Sequence, residues 1–282
     1  MLAPKYRDEA RQCAEQFQPI ITKLLEHTTP VILTFNEEAN IGRTLERLLW
    51  AHDIVVVDSF STDATGEIAR RFPQVRFFQH TFASHASQWN YATRETGVKS
   101  EWILSLDADY VVTDPFLEEI RCLDPKGVTD AYSAEFEYCL WGIPLRTSLY
   151  PPVTVLFRRH CGHYVQDGHT QRLVVNGKVV RLRNKLQHDD RKPLSIWLAS
   201  QDRYAVLEAE ILATRNWSEL GMIDRVRRFP LTAPFAVFVY CYLLKGGIFD
   251  GRAGLYYALQ RTLSECLLAL RLLEKQRSPR PQ

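Results

Sequence analysis

Four short apolar runs, at residues 30–34 (PVILT), 54–57 (IVVV), 75–78 (VRFF) and 102–106 (WILSL), alternate with stretches at 40–50, 62–72 and 84–98 that read as helix. Apolar runs of this length without polar alternation are buried on both faces. Strands of that kind, each followed by a helix, imply βαβ units and a mostly parallel, Rossmann-like sheet covered on both sides. Ligands bind such a sheet beyond the carboxyl ends of its strands. The residues that follow each run therefore carry most of the functional information. Asn40 and Ser61 read as N-caps of the first two helices.

After residue 110 the pattern changes. Residues 131–139 alternate loosely and 153–157 form another apolar run. Residues 172–182 read as a hairpin turning at Asn176-Gly177, a pair that suits a type I′ turn. From about residue 194 the spacing becomes helical, through Trp197, Tyr204, Leu207 and Ile211, and a last helix is expected at about 255–273. Gly246, Gly247, Gly251 and Gly254 before it read as a flexible link. An amphipathic helix is expected over 7–26, where Ala10, Ala14, Phe17, Ile21, Leu24 and Leu25 recur. The chain divides into an N-terminal helix at 1–28, an α/β domain at 29–192 and a helical region at 193–282 with an apolar segment at 229–249. The tail after Glu274 reads as disordered.

Several classes are disfavoured. A net charge of +2 lacks the electrostatic footprint of a nucleic-acid binder. No GxGxxG follows the first run and no GxxxxGK[ST] occurs, which argues against a dinucleotide enzyme or a P-loop NTPase. The six cysteines are scattered without a CxxC pair, and residues 1–12 lack the apolar core of a signal peptide. Free thiols in a reducing cytoplasm are the expectation.

The strand ends carry Phe35, Asn36 and Glu37, then Asp58 and Ser59, then Asp107, Ala108 and Asp109. A sheet rim collects acids at a cost unless something neutralises or hydrogen-bonds them. Two carboxylates one residue apart, as at Asp107 and Asp109, suit a magnesium or manganese ion that keeps positions open for phosphate oxygens. Asp58 is placed to accept from a ribose hydroxyl or a base edge, while Ser61 and Asp63 also read simply as a helix-capping loop.

With these residues in view, the chain resembles the family 2 inverting glycosyltransferases. The resemblance rests on TFNEEANIGRTL (34–45), VVVDSFSTDAT (55–65), QWNYA (88–92) and WILSLDADYV (102–111), and it spans roughly residues 30–190. Within the family it looks closest to the group of lipopolysaccharide-core and envelope glucosyltransferases. The resemblance implies the GT-A fold for nucleotide-diphosphate sugars over residues 29–192. It further implies that Thr34, Phe35, Asn36 and Glu37 line the nucleoside pocket and that Asp58 faces the base or ribose. Gln88 and Asn90 would close the pocket, with Asp107 and Ala108 at the ribose and Asp107 and Asp109 on the metal-diphosphate. Phe60 departs from the family, whose members often have glycine there.

An inverting transfer needs a carboxylate to take the acceptor's proton. Envelope relatives tend to show a His-Glu pair, whereas this chain reads Gln166-Asp167-Gly168-His169-Thr170-Gln171. Asp167 is therefore the candidate base with His169 as its orienter or substitute, and an Asp-Gly turn is the alternative reading. Farther on, His188 is a candidate third metal ligand, and Arg191 or Lys192 could meet diphosphate oxygens. The same segment also reads as a solvated loop. The fourteen apolar residues at 231–244 contain Pro234 and are too few to cross a bilayer. With Arg225, Arg227, Arg228 and Lys245 beside them, they suit an interfacial helix on an anionic cytoplasmic leaflet, against the alternative of a buried helix or oligomer contact. The expected partners are a nucleotide-sugar donor, most simply UDP-linked, and a glycan or lipid-linked acceptor. A nucleotidyltransferase and a membrane-associated scaffold that has lost its catalytic base remain as alternatives.

Overall fold

The protein is described by a computed structural model covering residues 24–167 and 170–277. Of the helix expected at 7–26, only the last residues fall within it, and Leu24–His27 form a 3-10 turn. The four apolar runs become β1 (Thr28–Thr34), β2 (Ile54–Asp58), β3 (Val75–Gln79) and β4 (Trp102–Asp107). Between them lie α1 (Ile41–Glu46), α2 (Thr65–Arg70) and α3 (His85–Arg94). β1 pairs in parallel with β2 and β4, and β2 with β3. Thr34 is in register with Asp58 and Leu33 with Asp107, so three strands end along one edge.

Alternate residues of these strands feed two cores, as a doubly covered sheet requires. Ile32, Val56, Leu104 and Leu106 pack with Leu45, Leu48 and Phe116 on one face. Val31, Val55, Val57 and Ile103 pack with Ala86, Trp89 and Tyr164 on the other. Phe116 belongs to α4 (Asp114–Arg121), which follows the two-residue strand β5 (Tyr110–Val111).

The second half extends the sheet in a mixed sense. β6 (Ala131–Ala134), β7 (Phe136–Leu140), β8 (Ile143–Pro144), β9 (Val153–Arg158), β10 (Gly162–Asp167), β11 (Thr170–Val175), β12 (Val179–Arg181) and β13 (Leu186–His188) follow in turn. The main sheet has the order β12-β6-β9-β4-β1-β2-β3, with β9 antiparallel to both its neighbours. β5, β13, β7 and β8 form a second sheet. The result is the α/β architecture that was expected, with a mostly parallel main sheet.

Four local expectations are corrected. The hairpin forms one element earlier, between β10 and β11, and β12 crosses to pair in parallel with β6. Asn176-Gly177 sits at that crossover: Asp130 accepts the Lys178 N–H at 2.8 Å, and any Cβ on Gly177 would lie 2.1 Å from its Oδ2. Ser61 does not cap α2, whose first residue is Thr65. Asn40 occupies the N-cap position of α1 without a side-chain capping bond, because its amide is used elsewhere. The glycines at 246–254 form a tight junction, where a Cβ on Gly254 would fall 1.9 Å from the Gly247 carbonyl oxygen.

The C-terminal part is helical as expected: α5 (Leu194–Thr214), α6 (Met222–Arg227), α7 (Thr232–Val239) and α8 (Gly251–Arg277). α8 packs on α5 through Leu212, Leu268 and Leu272, and on the second sheet through Leu140, Leu145 and Tyr257. No single described helix is long and apolar enough to cross a membrane.

Candidate active site

β1, β4 and β13 bring three distant segments together at one sheet edge. Asp107 ends β4, Asp109 stands two residues beyond it, and His188 closes β13. The short β5–β13 pairing sets His188 opposite Tyr110, and its Nε2 lies 2.9 Å from Asp109 Oδ2. The imidazole is boxed edge-on by Tyr138 and Tyr150 at 4.9 and 4.6 Å.

Residues 189–192 then clamp onto α1. Lys192 Nζ meets Glu37 Oε1 at 2.6 Å. Asp189 is buried and bonded to Arg43 and to Arg191. Asn40, with no exposed surface, organises the junction. Its amide donates to Glu37 and Asp190, and its carbonyl accepts from Arg43 and from the Arg191 backbone N–H. All four hydrogen-bonding positions of the side chain are thereby used. An asparagine that looked like a helix cap in sequence is thus the tie between segments 150 residues apart.

The electrostatics follow from crowding. Glu37, Asp107, Asp109, Asp189 and Asp190 face Arg43, Arg191, Lys192 and His188. Burial, followed by the charge on Asp109, raises Glu37 to about 7 and Asp107 to about 6. Burial also acts against the Asp109 carboxylate, but the His188 charge and hydrogen bond outweigh it and hold its pKa below the usual range. Burial works against the imidazolium, yet Asp109 draws the His188 pKa upward. The Asp109–His188 contact therefore favours the charged form of both groups, while burial and the Asp109 charge disfavour the charged forms of Glu37 and Asp107.

Among the described residues, no group of three or more His, Cys, Asp or Glu side chains is placed to share a metal ion. His188 Nε2 is engaged by Asp109. The hard oxygens of Asp107 and Asp109, the first driven toward protonation by burial and by the other's charge, fit a divalent cation that takes its remaining ligands from a bound diphosphate.

Other sequence candidates are placed as framework. Asp58 is buried, accepting from Thr34 Oγ1 at 2.9 Å and the Ser61 N–H at 2.8 Å. Ser61 Oγ in turn accepts the Asn36 N–H, and Asn36 adopts a left-handed φ of 53° that turns the chain away from β1. Gln88 is buried between Ser59 and His80. Asn90 pairs both ways with the Tyr164 backbone, fixing β10 on α3. Phe35 and Phe60 are exposed at the rim. Phe60 has φ 61°, the left-handed conformation that explains why glycine suits that position. Asp167 ends β10 opposite Thr170, at the hairpin tip. His169 lies outside the described residues.

Residues 29–132, from the start of β1 into β6, match the family model "Glycosyl transferase family 2". The matched stretch holds β1 to β4 and the Asp107-Ala108-Asp109 segment. It is 25% identical over 265 residues to the lipopolysaccharide core biosynthesis glycosyltransferase LpsC of Rhizobium meliloti, covering 86% of this chain and 91% of that one. An uncharacterized glycosyltransferase of Rickettsia bellii is 31% identical over 112 residues, 39% of this chain and 37% of its own. Among solved structures, S. aureus TarS 1-349 in complex with UDP-GlcNAc is similar at a TM-score of 0.47 and 14% identity, over 90% of this chain and 93% of that one. The 188–192 clamp lies beyond the matched segment.

Proposed function

We propose that this protein is an inverting, metal-dependent glycosyltransferase that moves a sugar from a UDP-sugar to a cell-envelope glycan or lipid-linked acceptor. The observation that carries the reading is the convergence of Asp107, Asp109 and Glu37 with His188 and Lys192 at the carboxyl ends of β1 and β4. The likeness to LpsC supports the envelope acceptor.

In this reading Asp107 and Asp109 would hold manganese or magnesium together with the diphosphate. The ion supplies charge neutralisation for the departing nucleoside diphosphate. His188 orients Asp109, and Lys192, anchored by Glu37, presents a cation to the same region. Thr34, Phe35 and Asn36 bound the nucleoside pocket, whose walls Asp58, Gln88 and Asn90 stiffen. Asp167 takes the proton of the attacking acceptor hydroxyl.

The membrane contact belongs to the same proposal. Leu231, Phe235, Leu244 and Phe249 are exposed on and around α7, with Lys245 and Arg252 exposed beside them. An apolar face with a basic margin suits the anionic inner leaflet of the cytoplasmic membrane. A buried helix does not expose such residues.

The test is titration of UDP, with and without manganese, into wild type and Asp109→Asn, alongside hydrolysis of UDP-sugars. Manganese should raise UDP affinity at least tenfold in wild type and have little effect in the variant. Equal manganese dependence in both would sink the metal assignment. Nucleotide binding without any turnover would favour the lapsed scaffold.

A further inference from the structure

A cavity of about 330 Å³ adjoins the carboxylate cluster, lined by Tyr138, Trp141, Trp197 and Tyr256 with Asp190 and Lys192. Two of these lining residues tie it to the site already described. Lys192 reaches Glu37, and the Tyr138 ring packs on His188, the partner of Asp109.

Trp141 is the unusual member. With Gly142 it forms the two-residue turn between Leu140 and Ile143, at φ 55° and 78°. Positive φ at both positions is the type I′ pattern, for which Asn-Gly is the favoured pair. A bulky side chain there is strained. Burial does not offset the strain, because Trp141 is 60% exposed. Its ring lies 4.9 Å from that of Tyr256 on α8, and a Cβ on Gly142 would come within 3.3 Å of Arg191 Nη2. Strain held at an exposed aromatic beside a polar cavity points toward ligand binding rather than toward the fold.

We propose that this cavity is the acceptor-sugar subsite, with Trp141 as the platform on which a pyranose ring stacks. One face of a pyranose presents C–H groups, which suit the negative face of an indole. Its rim presents hydroxyls, which the Asp190 carboxylate and Lys192 ammonium can bind. Tyr256 and Trp197 supply further aromatic wall, so α5 and α8 act as specificity elements for the acceptor. Naming the sugar as acceptor rests on the glycosyltransferase reading above.

Saturation-transfer NMR on the UDP-loaded full-length protein tests this, with methyl glucoside, galactoside and mannoside as probes. At least one glycoside should show transfer to wild type that falls at least fivefold in Trp141→Ala and Tyr256→Ala, with UDP affinity unchanged. Trp141→Asn should lose the signal equally while raising Tm by about 2–4 °C, because asparagine tolerates the turn. No transfer to any glycoside in wild type, full transfer in Trp141→Asn, or a lowered Tm in that variant would each overturn the proposal. If UDP fails to bind while a Trp141-dependent glycoside signal persists, the sugar subsite stands and the donor reading fails.

Discussion

At the scale of single residues, the site works by assigning unlike duties to like side chains. Asp58 and Asp109 both stand at the carboxyl ends of parallel strands, yet Asp58 accepts from Thr34 and Ser61, whereas Asp109 is paired with His188 beside Asp107. Asp167→Asn should leave UDP affinity near wild type and lower kcat by about two to four orders of magnitude, as loss of a general base does. Normal turnover in that variant, with His169→Ala inactive, would move the base to the histidine. Phe60 carries a different consequence. Its left-handed φ costs about 1–2 kcal/mol, and the side chain is half exposed. Glycine there relieves that cost and adds roughly 0.5–1 kcal/mol of unfolded-state freedom. Phe60→Gly should thus gain about 0.5–1 kcal/mol in urea unfolding, and a loss would mean that the phenyl ring packs more than its exposure suggests.

At the scale of elements, short pairings position long-range chemistry. The three-residue β13 pairs with β5 and β7 and so delivers His188 to Asp109. The β11-to-β12 crossover depends on Gly177, whose backbone lies against the Asp130 carboxylate. Gly177→Ala should therefore cost about 2 kcal/mol, the scale of an overpacked site, and displace the Asp130 bond to Lys178. Because Lys178 at the crossover bonds to Asp130 and not to the site residues, UDP affinity should hold in the folded fraction. Stability equal to wild type would show that the crossover relaxes freely. The hairpin expectation failed at this element for a physical reason. A turn dipeptide reports that the chain reverses or crosses, but the strand it then meets is set by packing.

At the scale of the whole molecule, the C-terminal helices serve two surfaces at once, one against the second sheet and one toward solvent. Two of the arginines expected to meet a membrane are instead bonded within the helical region. Arg227 is turned inward onto Glu265 and Glu208 at 2.8 and 3.1 Å, and Arg228 donates to the Leu212 and Arg215 carbonyls. Arg227→Glu would set three carboxylates together and cost about 3–5 kcal/mol, so it measures folding rather than membrane affinity. The informative variant is Leu231→Ser with Phe235→Ser. Co-sedimentation of wild type with anionic vesicles should fall partly with salt, since the apolar contribution persists. The double variant should bind several-fold less while its UDP affinity is unchanged. Equal binding by both would place the contact elsewhere.

From sequence alone came what local patterning can encode. The apolar runs at 30–34, 54–57, 75–78 and 102–106 are strands because nothing in them alternates, and the acids after them stand at one edge because parallel strands end together. The DAD tripeptide and the TFNEEAN segment were legible for the same reason. Only the tertiary structure decided what those acids touch. Asn40 read as a cap and instead joins Glu37 to Asp190; residues 188–192 read equally as a loop and instead clamp α1. Trp141 stood in no motif. Backbone preference and hydrophobic period act over a few residues, whereas these pairings close loops of about 150 residues. Such closure depends on how the second sheet and the C-terminal helices pack as a whole, because loop entropy has to be offset by contacts that no single segment contains.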